Sequence, residues 1–140
     1  MKKHIFIITL LLSFSLFGWA DAEILAQGQL KAYSSSPFSP SLHGDWKIVD
    51  EGGATYLELG ENFKTSKGPD VMIYLSPMSA DEITKDNATS GATKIKLLDK
   101  FKGAEKIELS GISGEDIANF KSIVFYCKEY SKMWGTSPIR

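Results

Sequence analysis

Short apolar runs separated by turn residues constrain the fold of this chain more than any other feature. The runs are bounded by glycine, proline and serine, as in Glu51-Gly52-Gly53 and Lys67-Gly68-Pro69-Asp70. No long stretch repeats its apolar residues with the 3.6-residue period of a helix. The pattern predicts β-strands near residues 24–32, 46–49, 54–59, 71–75, 95–98, 107–109 and 123–126.

This succession of short strands is typical of an all-β fold. We expect an antiparallel β-sandwich with a barrel-like or jelly-roll-like arrangement. Residues 79–83 and 113–120 interrupt the pattern, since each segment begins with serine followed by acidic residues, as short helices do. They predict one or two short helical turns. The tail, residues 135–140, is either a closing strand or frayed.

The first 22 residues have the organisation of a secretory signal peptide. Lys2 and Lys3 precede an almost continuous apolar run over residues 5–17, and residues 20–22 (Ala-Asp-Ala) form a small-x-small cleavage site. The apolar run is shorter than the roughly 20 residues that a membrane-spanning helix needs. We therefore expect an exported protein, periplasmic or secreted, with no membrane span after cleavage and one domain over residues 23–140.

Composition argues against several functional classes. The chain has 16 Lys and Arg residues against 17 Asp and Glu residues, with both signs interspersed. It therefore offers no basic stripe to neutralise nucleic-acid phosphates. A hydrolase triad would have to use His43, the sole histidine after residue 22, and the sequence contains no nucleophile elbow. We expect an electron-transfer or binding module rather than a stand-alone enzyme.

The single cysteine, Cys127, lies in the last clear strand, within residues 122–131 (SIVFYCKEYS). Alternation places Ile123, Phe125 and Cys127 on one face, and the polar Lys128 that follows predicts a thiol at the rim of the core. In an oxidising compartment a lone thiol must be shielded, paired with another chain or used in chemistry. Residue type leaves two interpretations open: a redox thiol or metal ligand, and a buried small apolar residue.

Ligand counting narrows the cofactors that Cys127 could bind. One cysteine cannot form the attachment motif of c-type haem. One histidine cannot complete a blue-copper site, and the same count disfavours structural zinc. We therefore predict no metal site. Non-covalent haem stays open, held by Cys127, His43 or a methionine among Met72, Met78 and Met133, although methionines are also ordinary core residues.

Several segments resemble one known family. They are residues 44–49 (GDWKIV), 56–59 (YLEL), 63–76 (FKTSKGPDVMIYLS), 102–109 (KGAEKIEL) and 123–135 (IVFYCKEYSKMWG). Together they are similar to the electron-transfer domain called DM-thirteen, over about residues 28–139, with the Gly68-Pro69-Asp70 turn and the Tyr126-Cys127 strand as the specific parts. Family members often carry a histidine a few residues before the glycine of the second strand, whereas His43 directly precedes Gly44 here.

The resemblance implies an all-β sandwich whose characteristic cysteine acts in redox chemistry, as a free thiol or as a ligand to a prosthetic group. Cys127 would then exchange electrons or a disulfide with a redox or membrane-associated protein partner. The alternative is a non-catalytic extracytoplasmic binding sandwich in which Cys127 is buried and structural. The turn before residue 71 is interpreted as a strand initiator in which Asp70 bonds its own backbone.

Overall fold

The computed structural model describes residues 22–139. The predicted signal peptide, residues 1–22, lies outside this range except for Ala22, so the export of the chain stays a prediction. Within the described residues, no helix is long and apolar enough to cross a membrane.

The described residues form nine strands and two single 3-10 turns. The turns, Ala80–Glu82 and Asp116–Asn119, fall inside the two segments predicted to be helical. The strands are β1 (Glu23–Ala32), β2 (Leu42–Glu51), β3 (Ala54–Leu59), β4 (Lys64–Thr65), β5 (Val71–Ser76), β6 (Thr93–Leu97), β7 (Glu105–Glu108), β8 (Ser122–Cys127) and β9 (Lys132–Pro138).

The strands form one antiparallel sheet in the order β6-β5-β8-β9-β1-β2-β3-β7, with β4 paired to β2. The sheet curls until its end strands face each other, and an ion pair between Lys96 of β6 and Glu105 of β7 bridges them. The sheet is therefore nearly closed into a barrel, and the prediction of an all-β, barrel-like fold is confirmed.

The core fills the interior of this barrel because inward and outward residues alternate along the strands. In β3, Thr55, Leu57 and Leu59 are buried while the residues between them are partly exposed. Inward residues of all the long strands join one apolar cluster that includes Trp46, Phe63, Phe125 and Cys127. A second, smaller cluster covers the outer face of β5, β8 and β9 with residues of the segment that follows β5.

Strand β8 therefore lies between two apolar layers. All six of its residues are buried, and it pairs with β5 on one side and β9 on the other. Its inward residues belong to the barrel core and its outward residues, Val124 and Tyr126, to the outer cluster. This explains why both faces of the strand are apolar in the sequence.

The structure differs from the strand predictions mainly at strand ends. Strand β2 begins at Leu42 rather than Trp46, and the short β4 was not predicted. The tail, left open by the sequence, forms the end of β9, which pairs with β8 over its whole length. These extensions depend on pairing with strands distant in sequence, which local patterns do not record.

Candidate functional site

Cys127 is the last residue of β8. Its neighbours across the sheet are Val71 of β5 and Lys132 of β9. Its side chain points inward with Ile123 and Phe125, as the alternation predicts, and is 0% exposed. The predicted rim position is correct along the strand, but the sulfur is fully enclosed there.

The polar contact of the thiol is the carboxylate of Asp70. The Cys127 thiol donates a hydrogen bond to Asp70 Oδ1, with 3.0 Å between Sγ and Oδ1. The backbone N–H of Glu129 donates to both oxygens of the same carboxylate, at 3.0 Å and 3.1 Å. The prediction that Asp70 bonds its own backbone is therefore wrong, because the antiparallel pairing of β5 with β8 brings the Cys127 thiol and the Glu129 N–H to its carboxylate.

Asp70 sits at the end of a firmly held segment. Trp134 packs in the core and donates its indole N–H to the carbonyl oxygen of Ser66 at 2.9 Å. Gly68 lies against the same indole, and a Cβ at Gly68 would come within 2.9 Å of the Trp134 ring and 2.8 Å of Val71. The absence of a side chain at Gly68 thus allows the loop to pack closely before the turn at Asp70.

On the other side of the thiol lies the β8–β9 turn, residues 128–131. All four residues are exposed, including Tyr130 at 61%. The turn is closed by a hydrogen bond from the Ser131 N–H to the Lys128 carbonyl oxygen, and Ser131 has a φ of +47°. A non-glycine residue in this left-handed region is uncommon.

Electrostatics keep the thiol protonated and the carboxylate ionised. Burial raises the pKa of Cys127, and its hydrogen bond to the Asp70 carboxylate raises it further, against weaker opposing bonds from the backbone N–H groups of Tyr130 and Asp70. The hydrogen bond from Cys127 lowers the pKa of Asp70, followed by the bond from the Glu129 N–H. The pair is therefore a neutral donor and an anionic acceptor at neutral pH.

The other candidate ligands do not meet at Cys127. His43 is exposed on β2, where it pairs with Lys31 of β1 and Lys64 of β4. Met133 is buried in the outer cluster, with Met72 and Met78 packed against that cluster, whereas Cys127 belongs to the barrel core on the opposite face of the sheet. The residues named as alternative haem ligands therefore lie apart, and the Cys127 sulfur is fully enclosed.

A groove of about 780 Å³ lies elsewhere, on β1, β2, β3 and β7. Its charged side chains are largely paired, since Lys47 contacts Glu58 at 3.3 Å and Lys106, at its edge, contacts Glu51 at 2.6 Å. Neither Cys127 nor its hydrogen-bond partner Asp70 is among the residues that line the groove. The groove and the thiol are separate features of the fold.

The residue that sequence reasoning missed is Asp70. Its turn was noticed, but its role depends on the register that places Val71 opposite Cys127. A sequence signal did exist, because Asp70 directly precedes a strand that resembles β8 in length and apolarity. Pairing the two strands antiparallel would have brought the start of β5 to the end of β8.

Comparison with known proteins gives one match. The family model described as electron transfer DM13 matches residues 34–139, which is more than half of the chain and includes both Asp70 and Cys127. No curated protein and no solved structure matches the chain. The chain therefore belongs to the DM13 family of electron-transfer domains.

Proposed function

We propose that this electron-transfer domain uses the Cys127 thiol as its redox group. The observation that carries the proposal is the 3.0 Å contact between Cys127 Sγ and the Asp70 carboxylate. Oxidation of a thiol requires the loss of a proton as well as an electron. Asp70 is an ionised acceptor already bonded to that proton, so the two can leave without exposing the sulfur to water.

The step is balanced with one external partner, a one-electron acceptor protein. Cys127 loses an electron to the acceptor, the S–H bond breaks, and the proton passes to Asp70. The products are a sulfur radical at Cys127, a neutral carboxylic acid at Asp70 and the acceptor reduced by one electron. Return of an electron and of the same proton restores the thiol.

Burial favours this route over exchange of a disulfide. Disulfide exchange needs a thiolate in direct contact with the partner's sulfur, whereas the Cys127 sulfur is fully enclosed and its pKa is raised. Export to a periplasmic or extracellular compartment, part of the proposal, fits the same observation. A shielded thiol would survive in an oxidising environment, where a membrane-associated redox protein could serve as the acceptor.

A passive binding domain is the second candidate function. It is favoured by the complete burial of Cys127, which is common for a cysteine that acts only as a small apolar residue. The groove on β1, β2, β3 and β7 would then be the binding surface. Under this alternative, removal of the thiol changes stability but no electron transfer.

The test is exposure of the purified, folded chain to a soluble one-electron oxidant, which is then removed before the chain is unfolded for examination. The proposal predicts an oxidised Cys127, located by mass spectrometry after unfolding, that is missing in Cys127→Ser. Asp70→Asn should slow its formation because a neutral amide is a far weaker proton acceptor than a carboxylate. Asp116→Asn is the matched control, since the Asp116 carboxylate also accepts a backbone N–H in a turn, that of Ser113, but no thiol.

Two results would contradict the proposal. In one, oxidation is found on other residues while Cys127 keeps its thiol. In the other, protein purified from its native compartment carries a coloured group that persists in Cys127→Ser. The visible spectrum of the purified protein should therefore be recorded first, together with its metal content.

A further inference from the structure

We propose that Asp70 is a positioning residue that couples the proton of Cys127 to closure of the β8–β9 turn. The inference rests on the proposed function for its purpose, but its contacts can be tested without any redox partner. In addition to accepting the thiol proton, Asp70 would link the protonation state of the thiol to the conformation of an exposed turn.

The coupling arises because the Asp70 carboxylate accepts hydrogen bonds from both the Cys127 thiol and the β8–β9 turn. Oδ1 accepts from both the Cys127 thiol and the Glu129 N–H, and Oδ2 accepts a second contact from the same N–H. The thiol belongs to the core and Glu129 belongs to the exposed turn. Any change in the charge or position of the carboxylate therefore reaches both.

The segment before Asp70 is held more firmly than the turn that contains Glu129. Asp70 follows a segment fixed by the Trp134 indole through Ser66 and Gly68. The turn has four exposed residues and a left-handed Ser131, features of segments that open locally at low cost. When the contact weakens, the turn is the part that moves.

Loss of the thiol proton weakens the hold of the Asp70 carboxylate on the turn in either of two ways. If the proton passes to Asp70 during oxidation, the carboxyl becomes neutral and the Glu129 N–H loses a charge-assisted acceptor. If the proton is lost to solvent, a thiolate and a carboxylate face each other across the present 3.0 Å contact and repel. Both states favour a loosened turn, which repositions the exposed Tyr130.

The first experiment measures the thiol contact by infrared spectroscopy. Because Cys127 is the only cysteine, the protein has a single S–H stretching band, and a stronger acceptor lowers its frequency. We expect the lowest frequency in the wild type, an intermediate one in Asp70→Asn and the highest in Asp70→Ala. An unchanged band in both variants would overturn the assignment of Asp70 as the acceptor.

The second experiment measures hydrogen exchange of the Glu129 N–H in the folded protein. We expect exchange to be about tenfold faster in Cys127→Ala, which lacks the donor, and to stay within about twofold of wild type in Cys127→Ser, whose hydroxyl can still donate to Asp70. Asp116→Ala is the control. It should speed exchange at Ser113, whose N–H it accepts, and leave Glu129 unchanged.

The outcomes separate the coupling from the redox role. Equal exchange at Glu129 in wild type and Cys127→Ala would show that Asp70 merely caps the turn, and would overturn the coupling while leaving the redox function standing. Faster exchange in Cys127→Ala with no oxidation of Cys127 by the one-electron oxidant would support the coupling and reject the proposed function. Equal acceleration in Cys127→Ala and Cys127→Ser would assign the effect to packing and overturn the coupling.

Discussion

Raising the pH above about 8.5 should destabilise the folded chain through Cys127, because an unfolded cysteine loses its proton near that pH. In the folded chain, burial and the Asp70 carboxylate raise the pKa of the thiol. Between the two pKa values the folded state keeps a proton that the unfolded state has lost. The folded state then binds more protons, so the free energy of unfolding falls as the pH rises.

The size of the effect follows from the same linkage. The stabilising contribution is complete below the unfolded pKa and is lost as the pH rises to the folded pKa, with a maximum slope of about 1.4 kcal/mol per pH unit. A small domain has a total stability of about 5–15 kcal/mol. With a urea m-value of about 1–3 kcal/mol/M, one pH unit would shift the unfolding midpoint by roughly 0.5–1.4 M.

The assay is urea unfolding followed by tryptophan fluorescence, from about pH 7 to about pH 10, for wild type and Cys127→Ala under reducing conditions. Burial also raises the pKa of Tyr74, but Tyr74 is present in both proteins and its effect cancels in the difference. We expect the stability difference between the two proteins to shrink steadily above about pH 8.5. A difference that stays constant over this range would refute the enclosure of the thiol on which the account depends.

Packing and pairing around the barrel give three further tests, all read by urea unfolding. Cys127→Ala should cost about 1–2 kcal/mol by leaving a small cavity, and Cys127→Ser should cost less because its hydroxyl can donate to Asp70; the reverse order would argue against that acceptor. Gly135→Ala should cost about 3 kcal/mol or more, because the new Cβ would overlap the Lys31 carbonyl oxygen, and a neutral result would contradict the close β1–β9 approach. Glu105→Ala should cost roughly 1–2 kcal/mol because it leaves Lys96 without its ion-pair partner. The double variant Lys96→Met with Glu105→Leu should recover most of that loss, because it also removes Glu105 Oε2, which is buried without a hydrogen-bond partner. A double variant less stable than Glu105→Ala would contradict this.

Local patterns predicted most of the sheet because strand alternation is itself local. The burial of Leu57 and Leu59 in β3, and the inward direction of Cys127 in β8, follow from a period of two residues. The two 3-10 turns were also visible in the sequence, through serine and acidic residues at the start of each segment. The family resemblance found in the sequence was confirmed by the match over residues 34–139.

Long-range features could not be predicted in this way. The ion pair between Lys96 and Glu105 exists only because the ends of the sheet meet. Asp70 reaches Cys127 only because of the register between β5 and β8. The burial of the thiol likewise depends on the core cluster around it, which joins Cys127 to residues distant in sequence such as Trp46 and Phe63.

A paired measurement on one folded sample shows whether Cys127 gives up an electron from a closed site. The same folded sample is exposed to a soluble one-electron acceptor and, separately, to a thiol-alkylating reagent, and loss of the Cys127 thiol is followed at increasing urea. We expect the acceptor to oxidise Cys127 without urea, because an electron can leave through the protein, whereas the alkylating reagent, which must touch the sulfur, should react far more slowly. If both reactions proceed only as the protein unfolds, with the urea dependence of global unfolding, Cys127 is a structural residue and the claim is wrong.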